Sequence, residues 1–186
     1  MSEEAWATQA PSEELPAGPA VLVRTAIGDT DALVATVNAS LDHLRPWMPW
    51  AQVPATTESI GTFLAGANAA WEAGTEFQYL MAEPDTRSIV GCCGLHARLG
   101  VGALEIGYWV HVDHLRRGLA SSAARALTEA AFGIDAVTRL EIHCDAANTA
   151  SAGVPRRLGY RLDRVEAHPP SAPGETGRLV IWVLER

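Results

Sequence analysis

The chain contains no lysine: all 14 of its cations are arginine, set against 22 Asp and Glu residues for a formal net charge of -8. The absence of lysine excludes mechanisms that need a Schiff-base amine, a Walker-type phosphate lysine or a catalytic lysine pair. Long basic runs are missing as well. Because nucleic-acid affinity rests on neutralising phosphates, no nucleic-acid partner is expected.

Cysteines are also few, and long apolar runs are lacking. Cys92 and Cys93 are adjacent and Cys144 lies far away in sequence, a spacing that fits neither a metal site nor a disulfide framework. The three are expected to be reduced, and Cys93 and Cys144 to be small core residues rather than nucleophiles. No apolar run approaches the ~20 residues that cross a bilayer, and the acidic start is unlike a signal peptide. A cytoplasmic protein with neither metal nor membrane partner is therefore expected.

What the sequence does contain is enough apolar material for a core, since 48% of its 186 residues are hydrophobic. Residues 1–19 hold four glutamates, three prolines and no cation, which predicts a flexible acidic tail. Residues 20–186 are predicted to form a single domain.

Hydrophobic periodicity within that domain alternates between the spacings of strands and helices. Strands are predicted at 20–24, 76–82, 88–98, 103–111, 140–145, 160–167 and 178–185, and helices at 29–41, 57–73 and 120–132, with a short helix ending near Leu158. The short turns between the second, third and fourth strands indicate an antiparallel meander. The fold class is therefore α/β with a mixed sheet.

The stretch from Glu105 to Ser122 carries the strongest chemical signal, because a strand leads into a tight turn at Gly118 and then at once into a helix. The first turn of a helix has backbone N–H groups without partners, and the helix dipole is positive there. The small side chain of Ala120 leaves room for a ligand and Ser121 adds a hydroxyl donor. We therefore expect a binding site for a phosphate or diphosphate, called the anion seat below. An ordinary helix cap is the alternative. A Rossmann site is disfavoured because G-x-G-x-x-G is absent.

Three segments, EIGYWVHVDHLRRGLASSAARAL, NTASAGVPRRLGY and LRPWMPW, together resemble the GNAT superfamily of N-acetyltransferases and its RimJ/RimL-like branch. The resemblance implies a V-shaped, mostly antiparallel sheet of about seven strands with about four helices. It also implies direct transfer of an acetyl group from acetyl-CoA to a primary amine, which a peptide or a small molecule would present. A non-catalytic acyl-CoA-binding regulatory module is the alternative, and a homodimer is left open.

The same resemblance assigns cofactor contacts. It places the pantetheine arm on backbone groups of Val110, His111 and Val112, with the Val110 amide on the thioester carbonyl. Asn148 would bond the arm or order the exit of the neighbouring strand. The diphosphate would lie on backbone amides of five consecutive residues: Arg117, Gly118, Leu119, Ala120 and Ser121. Leu115, Arg116 and Pro155 depart from the family pattern, and Pro155, where many members have a thiolate-protonating tyrosine, predicts a helix that starts late.

Catalysis needs a neutral amine and a tolerable thiolate. A lysine amine (pKa about 10.4) costs roughly 4.6 kcal/mol to neutralise at pH 7, whereas an α-amine costs only about 1–1.4 kcal/mol. Glu105 is the candidate base, with a structural ion pair as its alternative. Ser151 is the candidate acid by similarity to RimL-type enzymes, with a helix cap as its alternative.

Other residues are given lesser roles. Trp47 and Trp50 are expected either to wall the acceptor groove or to pack as a lid over the core. His96 and His143 are expected to be satisfied or exposed histidines rather than metal ligands. Arg156 and Arg157 are expected to be solvated, with a lesser chance of reaching a phosphate.

Overall fold

The computed structural model describes residues 10–186, and eight strands and five helices lie within that range. The strands are β1 (Glu14–Ala17), β2 (Ala20–Arg24), β3 (Glu76–Ala82), β4 (Ile89–His96), β5 (Ala103–Val110), β6 (Arg139–Asp145), β7 (Arg161–Ala167) and β8 (Arg178–Glu185). The helices are α1 (Thr30–Ala39), α2 (Leu41–Leu44), α3 (Thr57–Glu72), α4 (Leu119–Phe132) and α5 (Thr149–Arg157). The predicted α/β class is confirmed, with one strand and one helix more than expected.

All eight strands form one sheet in the order β1-β2-β3-β4-β5-β6-β8-β7. Every neighbouring pair is antiparallel except β5 and β6, which run parallel. The parallel pairing is short, covering Ala103–Glu105 against Arg139–Glu141, after which both strands continue without each other. The sheet is therefore V-shaped, and the gap between β5 and β6 exposes backbone that a ligand can use.

Two layers of helices enclose the sheet. On one face α4 packs against β5, and its buried Leu127 and Ala123 join the main core with Ile106 and Ile142. On the other face α1 and α3 cover Leu80, but they leave the β5–β6 end of that face open. Thr56 caps α3 by accepting a hydrogen bond from the Ser59 amide.

The predicted acidic tail is wrong at its C-terminal end. Glu14–Ala17 forms β1, which pairs with β2 along its whole length, and Ala17 is buried. Tyr79, buried in the core, donates a hydrogen bond from its hydroxyl to the Ser12 carbonyl. The acidic composition concealed a strand that contributes to the core, and the start of the tail, residues 1–9, lies outside the described residues.

Candidate active site

Two cavities meet where β5 and β6 part. The large cavity has a volume of about 1070 Å³ and the small cavity about 580 Å³. They share six wall residues: Trp47, Met48, Tyr108, Trp109, Asn148 and Ser151. Two substrates can therefore approach the gap from different sides and meet beside the same few side chains.

The small cavity ends at the N-terminus of α4. Gly118 precedes the helix with φ +79°, a left-handed conformation that favours glycine. The first-turn amides of Leu119, Ala120 and Ser121 have no partner within the helix and open on this cavity. The Arg157 guanidinium donates to the Ser121 hydroxyl from Nε and Nη2 at 3.3 and 3.2 Å. Backbone donors and one arginine thus make a seat suited to a diphosphate.

Of the two arginines in the preceding loop, one is tied back to its own turn and the other lines the small cavity. Arg117 donates from Nη2 to the Asp113 carbonyl at 3.0 Å, which ties its side chain back to its own turn. Arg116, where the family has a small residue, adopts φ +59° and lines the small cavity. The nearby cation that contacts the seat is Arg157, which the sequence analysis had expected to be mainly solvated. Arg156 instead lies over the Trp182 ring at 5.5 Å.

Two amides just beyond β5 are already engaged within the protein. The His111 amide donates to the Val90 carbonyl at 2.8 Å, and the Val112 amide donates to the Ser40 hydroxyl at 3.1 Å. These amides are not free donors, and a contact of pantetheine with other backbone groups of His111 and Val112 stays a prediction. Because amide directions alternate along a strand, the Val110 amide points away from β4, toward the side that β6 leaves open.

Pro155 lies inside α5, so the prediction of a late-starting helix is wrong. Proline has no N–H to donate to the carbonyl four residues earlier, which is that of Ser151. The Tyr108 hydroxyl supplies the missing bond, donating to that carbonyl at 3.1 Å. The helix keeps its proline because a tyrosine from β5 satisfies the carbonyl that the proline leaves free.

This arrangement places two hydroxyls side by side at the gap. The Ser151 Oγ lies 3.2 Å from the Tyr108 hydroxyl, which can accept its proton. Burial raises the pKa of Tyr108, outweighing the hydrogen bond with Ser151, so the phenol stays neutral. Asn148, not Ser151, caps α5, since its side chain accepts from the Ser151 amide at 3.1 Å. The helix-cap alternative for Ser151 is therefore wrong, and the Ser151 hydroxyl is free to face the gap.

Ionisable side chains cross the open face of the sheet in a row. Glu76, His96, Glu105 and Glu141 are direct partners on β3, β4, β5 and β6, so their side chains share one face. His143 lies two residues beyond Glu141 and points the same way. Within this row the Glu141 side chain is buried, while the other four residues line the large cavity.

Glu105 lies in this row with its carboxylate largely buried and paired. Arg98 donates to it from Nε at 2.7 Å and from Nη2 at 2.5 Å, engaging both oxygens. His143 Nδ1 lies 3.6 Å from Glu105 Oε2. The structure therefore brings together the predicted carboxylate, an arginine and an imidazole at the wall of the large cavity.

Two loops form the roof of the large cavity. Trp47 and Trp50 belong to the first loop, and Trp50, half exposed, packs against Trp109 with ring centroids 6.1 Å apart. The second loop, between β7 and β8, reaches it where the Gly174 amide donates to the Pro46 carbonyl at 2.8 Å. A Cβ on residue 174 would lie 2.6 Å from that carbonyl oxygen, so this contact requires glycine.

The remaining candidates have structural positions. Cys92, Cys93 and Cys144 are free and buried, and burial raises the pKa of the Cys144 thiol. Among residues 10–186 there is no cluster of three or more His, Cys, Asp or Glu side chains that could hold a metal ion. No helix in that range is both long and apolar enough to span a bilayer.

Sequence reasoning missed Tyr108 and Arg98, and it gave Arg157 only a lesser chance of reaching a phosphate. Tyr108 points to the face opposite Glu105 on the same strand, so its link to Ser151 depends on a tertiary contact. Arg98 follows a strand in a short turn, where an arginine is expected to be solvated. The tandem Arg156-Arg157 was visible, but only the fold shows that one of the pair meets the N-terminus of α4.

A sheet that parts between two parallel strands, with a helix N-terminus and two cavities at the gap, is the architecture of acyl-CoA-dependent acyltransferases. The Acetyltransferase (GNAT) domain profile matches residues 21–161, and the chain belongs to this family. The match confirms the predicted family, with its GNAT fold, and the acetyltransferase class. No curated protein sequence matched the chain.

Solved structures share the fold at low sequence identity. RimL, a ribosomal L7/L12 α-N-protein acetyltransferase solved with coenzyme A, has a TM-score of 0.85 at 20% identity, covering 93% of this chain and 98% of its own. Mycobacterium smegmatis RimJ with CoA-disulfide has a TM-score of 0.82 at 20% identity, covering 97% and 88%. The microcin C7 self-immunity acetyltransferase MccE, solved with acetyl-CoA and AMP, has a TM-score of 0.83 at 16% identity, covering 91% of this chain and 93% of its own.

Proposed function

We propose that this protein transfers the acetyl group of acetyl-CoA to a primary amine by direct attack in a ternary complex. The observation that carries the proposal is the pair of cavities that meet at the β5–β6 gap. The small cavity ends at an anion seat and takes the cofactor, while the large cavity has a carboxylate at its wall and takes the amine. Both substrates are then present together, so no covalent enzyme intermediate is required.

In this proposal the diphosphate of CoA lies on the first-turn amides of α4, beside Arg157. The pantetheine arm enters the gap, and the Val110 amide donates to the thioester carbonyl. That bond grows stronger as negative charge develops on the oxygen during attack, which is the interaction that lowers the barrier. The Ser151 hydroxyl lies at the same gap, where the sulfur leaves.

The acceptor we propose is the α-amine of a peptide or protein N-terminus, with a small-molecule amine as the other form of the same class. The RimL structure is described as an α-N-protein acetyltransferase, and the large cavity has room for several residues. An α-amine also needs little help to lose its proton, because its neutral form costs only about 1–1.4 kcal/mol of free energy at pH 7. Glu105 acts on this amine by attracting and holding its ammonium form.

A screen of CoA thiol release from acetyl-CoA tests the proposal across N-terminal peptides, polyamines and amino sugars. We expect release above background with at least one class, with N-terminal peptides ranking first. Binding of acetyl-CoA with release at background for every amine would contradict turnover and favour the regulatory-module alternative. A chain that is not stabilised by CoA in a thermal-shift titration would contradict both.

Ser151 is proposed as the acid that gives its proton to the departing thiolate, with Tyr108 orienting its hydroxyl. The Ser151→Ala substitution is expected to lower kcat by about 10²-fold, the lower end of the usual range for acid–base help. The Tyr108→Phe substitution is expected to lower kcat less and to cost about 1–2 kcal/mol of stability, since it leaves the Ser151 carbonyl without a donor.

Steady-state kinetics with thermal unfolding separates these two effects. A Ser151→Ala enzyme with parental kcat would remove Ser151 from the chemistry. Glu129→Ala, an exposed change on α4, is the control for handling and folding.

A cytoplasmic location is part of the proposal. It is supported by three buried thiols that are free in the described range, a state typical of reducing compartments. The homodimer that the sequence analysis left open remains a question for a sedimentation measurement.

A further inference from the structure

The row of ionisable groups contains a histidine whose tautomer is fixed by its neighbours. His143 Nε2 lies 2.5 Å from the Glu141 Oε2, and Arg139 donates from Nε to the other oxygen of Glu141 at 2.7 Å. Burial would raise the pKa of Glu141, but hydrogen bonds from His143 and Arg139 outweigh burial and lower it. Glu141 is therefore an anion that can only accept, so the proton of neutral His143 lies on Nε2.

The other ring nitrogen of His143 is consequently a lone pair. Nδ1 lies at the wall of the large cavity, and no group among residues 10–186 donates a hydrogen bond to it. Its close polar neighbour is Glu105 Oε2 at 3.6 Å, too far for a hydrogen bond between the two groups. A single amine nitrogen that approaches both acceptors from the cavity can donate one hydrogen bond to each.

Glu105 and His143 Nδ1 differ in whether they already accept hydrogen bonds from the protein. Both oxygens of Glu105 accept hydrogen bonds from Arg98, so this carboxylate stays ion-paired and charged. It can therefore attract and hold an ammonium group. His143 Nδ1 has no such partner and can take a proton. The imidazolium that forms would lie between the carboxylates of Glu105 and Glu141, and opposite charges on both sides stabilise it.

We propose that His143 Nδ1 is the catalytic base that takes the proton from the acceptor amine, while Glu105 anchors the ammonium and Glu141 positions the imidazole. This inference rests on the proposed function. The ammonium gives one proton to Nδ1, and the amine lone pair then forms the C–N bond to the thioester carbon. The C–S bond breaks, the thiolate takes the second amine proton by way of Ser151, and His143 returns its proton to water.

The test compares the parent with His143→Gln, which keeps an amide donor toward Glu141 but has no base. With an N-terminal peptide as acceptor, kcat is expected to fall by about 10²-fold, the lower end of general-base help because an α-amine needs little. The acceptor KM and the acetyl-CoA Kd are expected to stay within about threefold of the parent, since only the transition state loses an interaction.

Three further readouts would not respond to a merely structural role. In His143→Ala, added imidazole is expected to restore activity, and more so as the pH rises and the free base accumulates. Glu141→Gln is expected to lower kcat without changing KM, because the amide can donate to Nε2 and move the imidazole proton to Nδ1. The acid limb of the kcat–pH profile should flatten in His143→Gln. His143 contacts the carboxylates of Glu105 and Glu141. Arg98 pairs with Glu105, and Arg139 and Arg164 pair with Glu141. The other ionisable groups that line the same cavity are Glu76, His96, Asp145, His168 and Glu175.

The outcomes separate this inference from the proposed function. If the parent is active and His143→Gln keeps both parental kcat and the acid limb, the base is not His143 and the proposed function stands. Imidazole that fails to rescue a folded, acetyl-CoA-binding His143→Ala also overturns the inference. A parent that releases no thiol with any amine overturns the proposed function and this inference with it.

Discussion

Replacing Glu105 with glutamine is expected to lower kcat/KM for the amine by about 10²–10³-fold, because removing one partner of a close charge pair costs about 3–4 kcal/mol. The change removes the anion that anchors the ammonium and, in addition, leaves the Arg98 guanidinium unpaired at the wall of the large cavity. A free cation there repels the substrate, so the loss should exceed that of His143→Gln. The measurement is initial-rate kinetics with an N-terminal peptide at saturating acetyl-CoA.

The affinity for acetyl-CoA serves as the internal control for this variant. Glu105 lines the large cavity only, so the acetyl-CoA Kd should be unchanged by calorimetry. Glu129→Gln, an exposed change on α4, controls for the loss of a negative charge. A Glu105→Gln enzyme with parental kcat/KM would show that Glu105 serves the ion pair with Arg98 and has no part in catalysis.

The second large effect is expected on stability. Asp145, buried at the end of β6, accepts five hydrogen bonds: from the amides of Ala147, Thr176, Gly177 and Arg178 and from the Thr176 hydroxyl. The Asp145→Ala substitution leaves these donors unpaired and is expected to cost about 3 kcal/mol. For a chain of this length that is a fall in Tm of about 6–12 °C. Thermal unfolding against Glu129→Ala measures it.

The same carboxylate predicts how stability depends on acid. Burial would raise the pKa of Asp145, but hydrogen bonds from the Ala147 amide and from Thr176 outweigh it and lower the pKa. A group with a lowered folded pKa stabilises fully above its unfolded value, about 3.9, and this contribution is lost as the pH falls through the folded value. The free energy of unfolding of Asp145→Ala should therefore fall less steeply than that of the parent as the pH drops below about 3.9. A parental acid-unfolding slope in this variant would contradict the role of Asp145.

Local sequence patterns were enough for most of the fold. Strands β2, β3 and β8 have the predicted limits, because alternating apolar residues bounded by turn residues leave little freedom. The anion seat was likewise visible, since Gly118 before a strong helix former marks a helix start. These features depend on residues close together in the chain, so the local sequence is enough to predict them.

Features that depend on distant residues could not be predicted in this way. β1 is acidic and short, and only its pairing with β2 makes it a strand. Pro155 inside α5 is tolerated because Tyr108, 47 positions earlier, satisfies the Ser151 carbonyl. His143 and Glu141 share a face of the same strand, but the third member of the group, Glu105, meets them only once β5 and β6 pair.

A crystal structure of the acetyl-CoA complex is the decisive measurement of where the cofactor binds. We expect the diphosphate within hydrogen-bond distance of the Leu119, Ala120 and Ser121 amides, with Arg157 beside it and the thioester carbonyl on the Val110 amide. A ligand bound elsewhere, with the N-terminus of α4 empty or filled by protein side chains, would contradict this expectation.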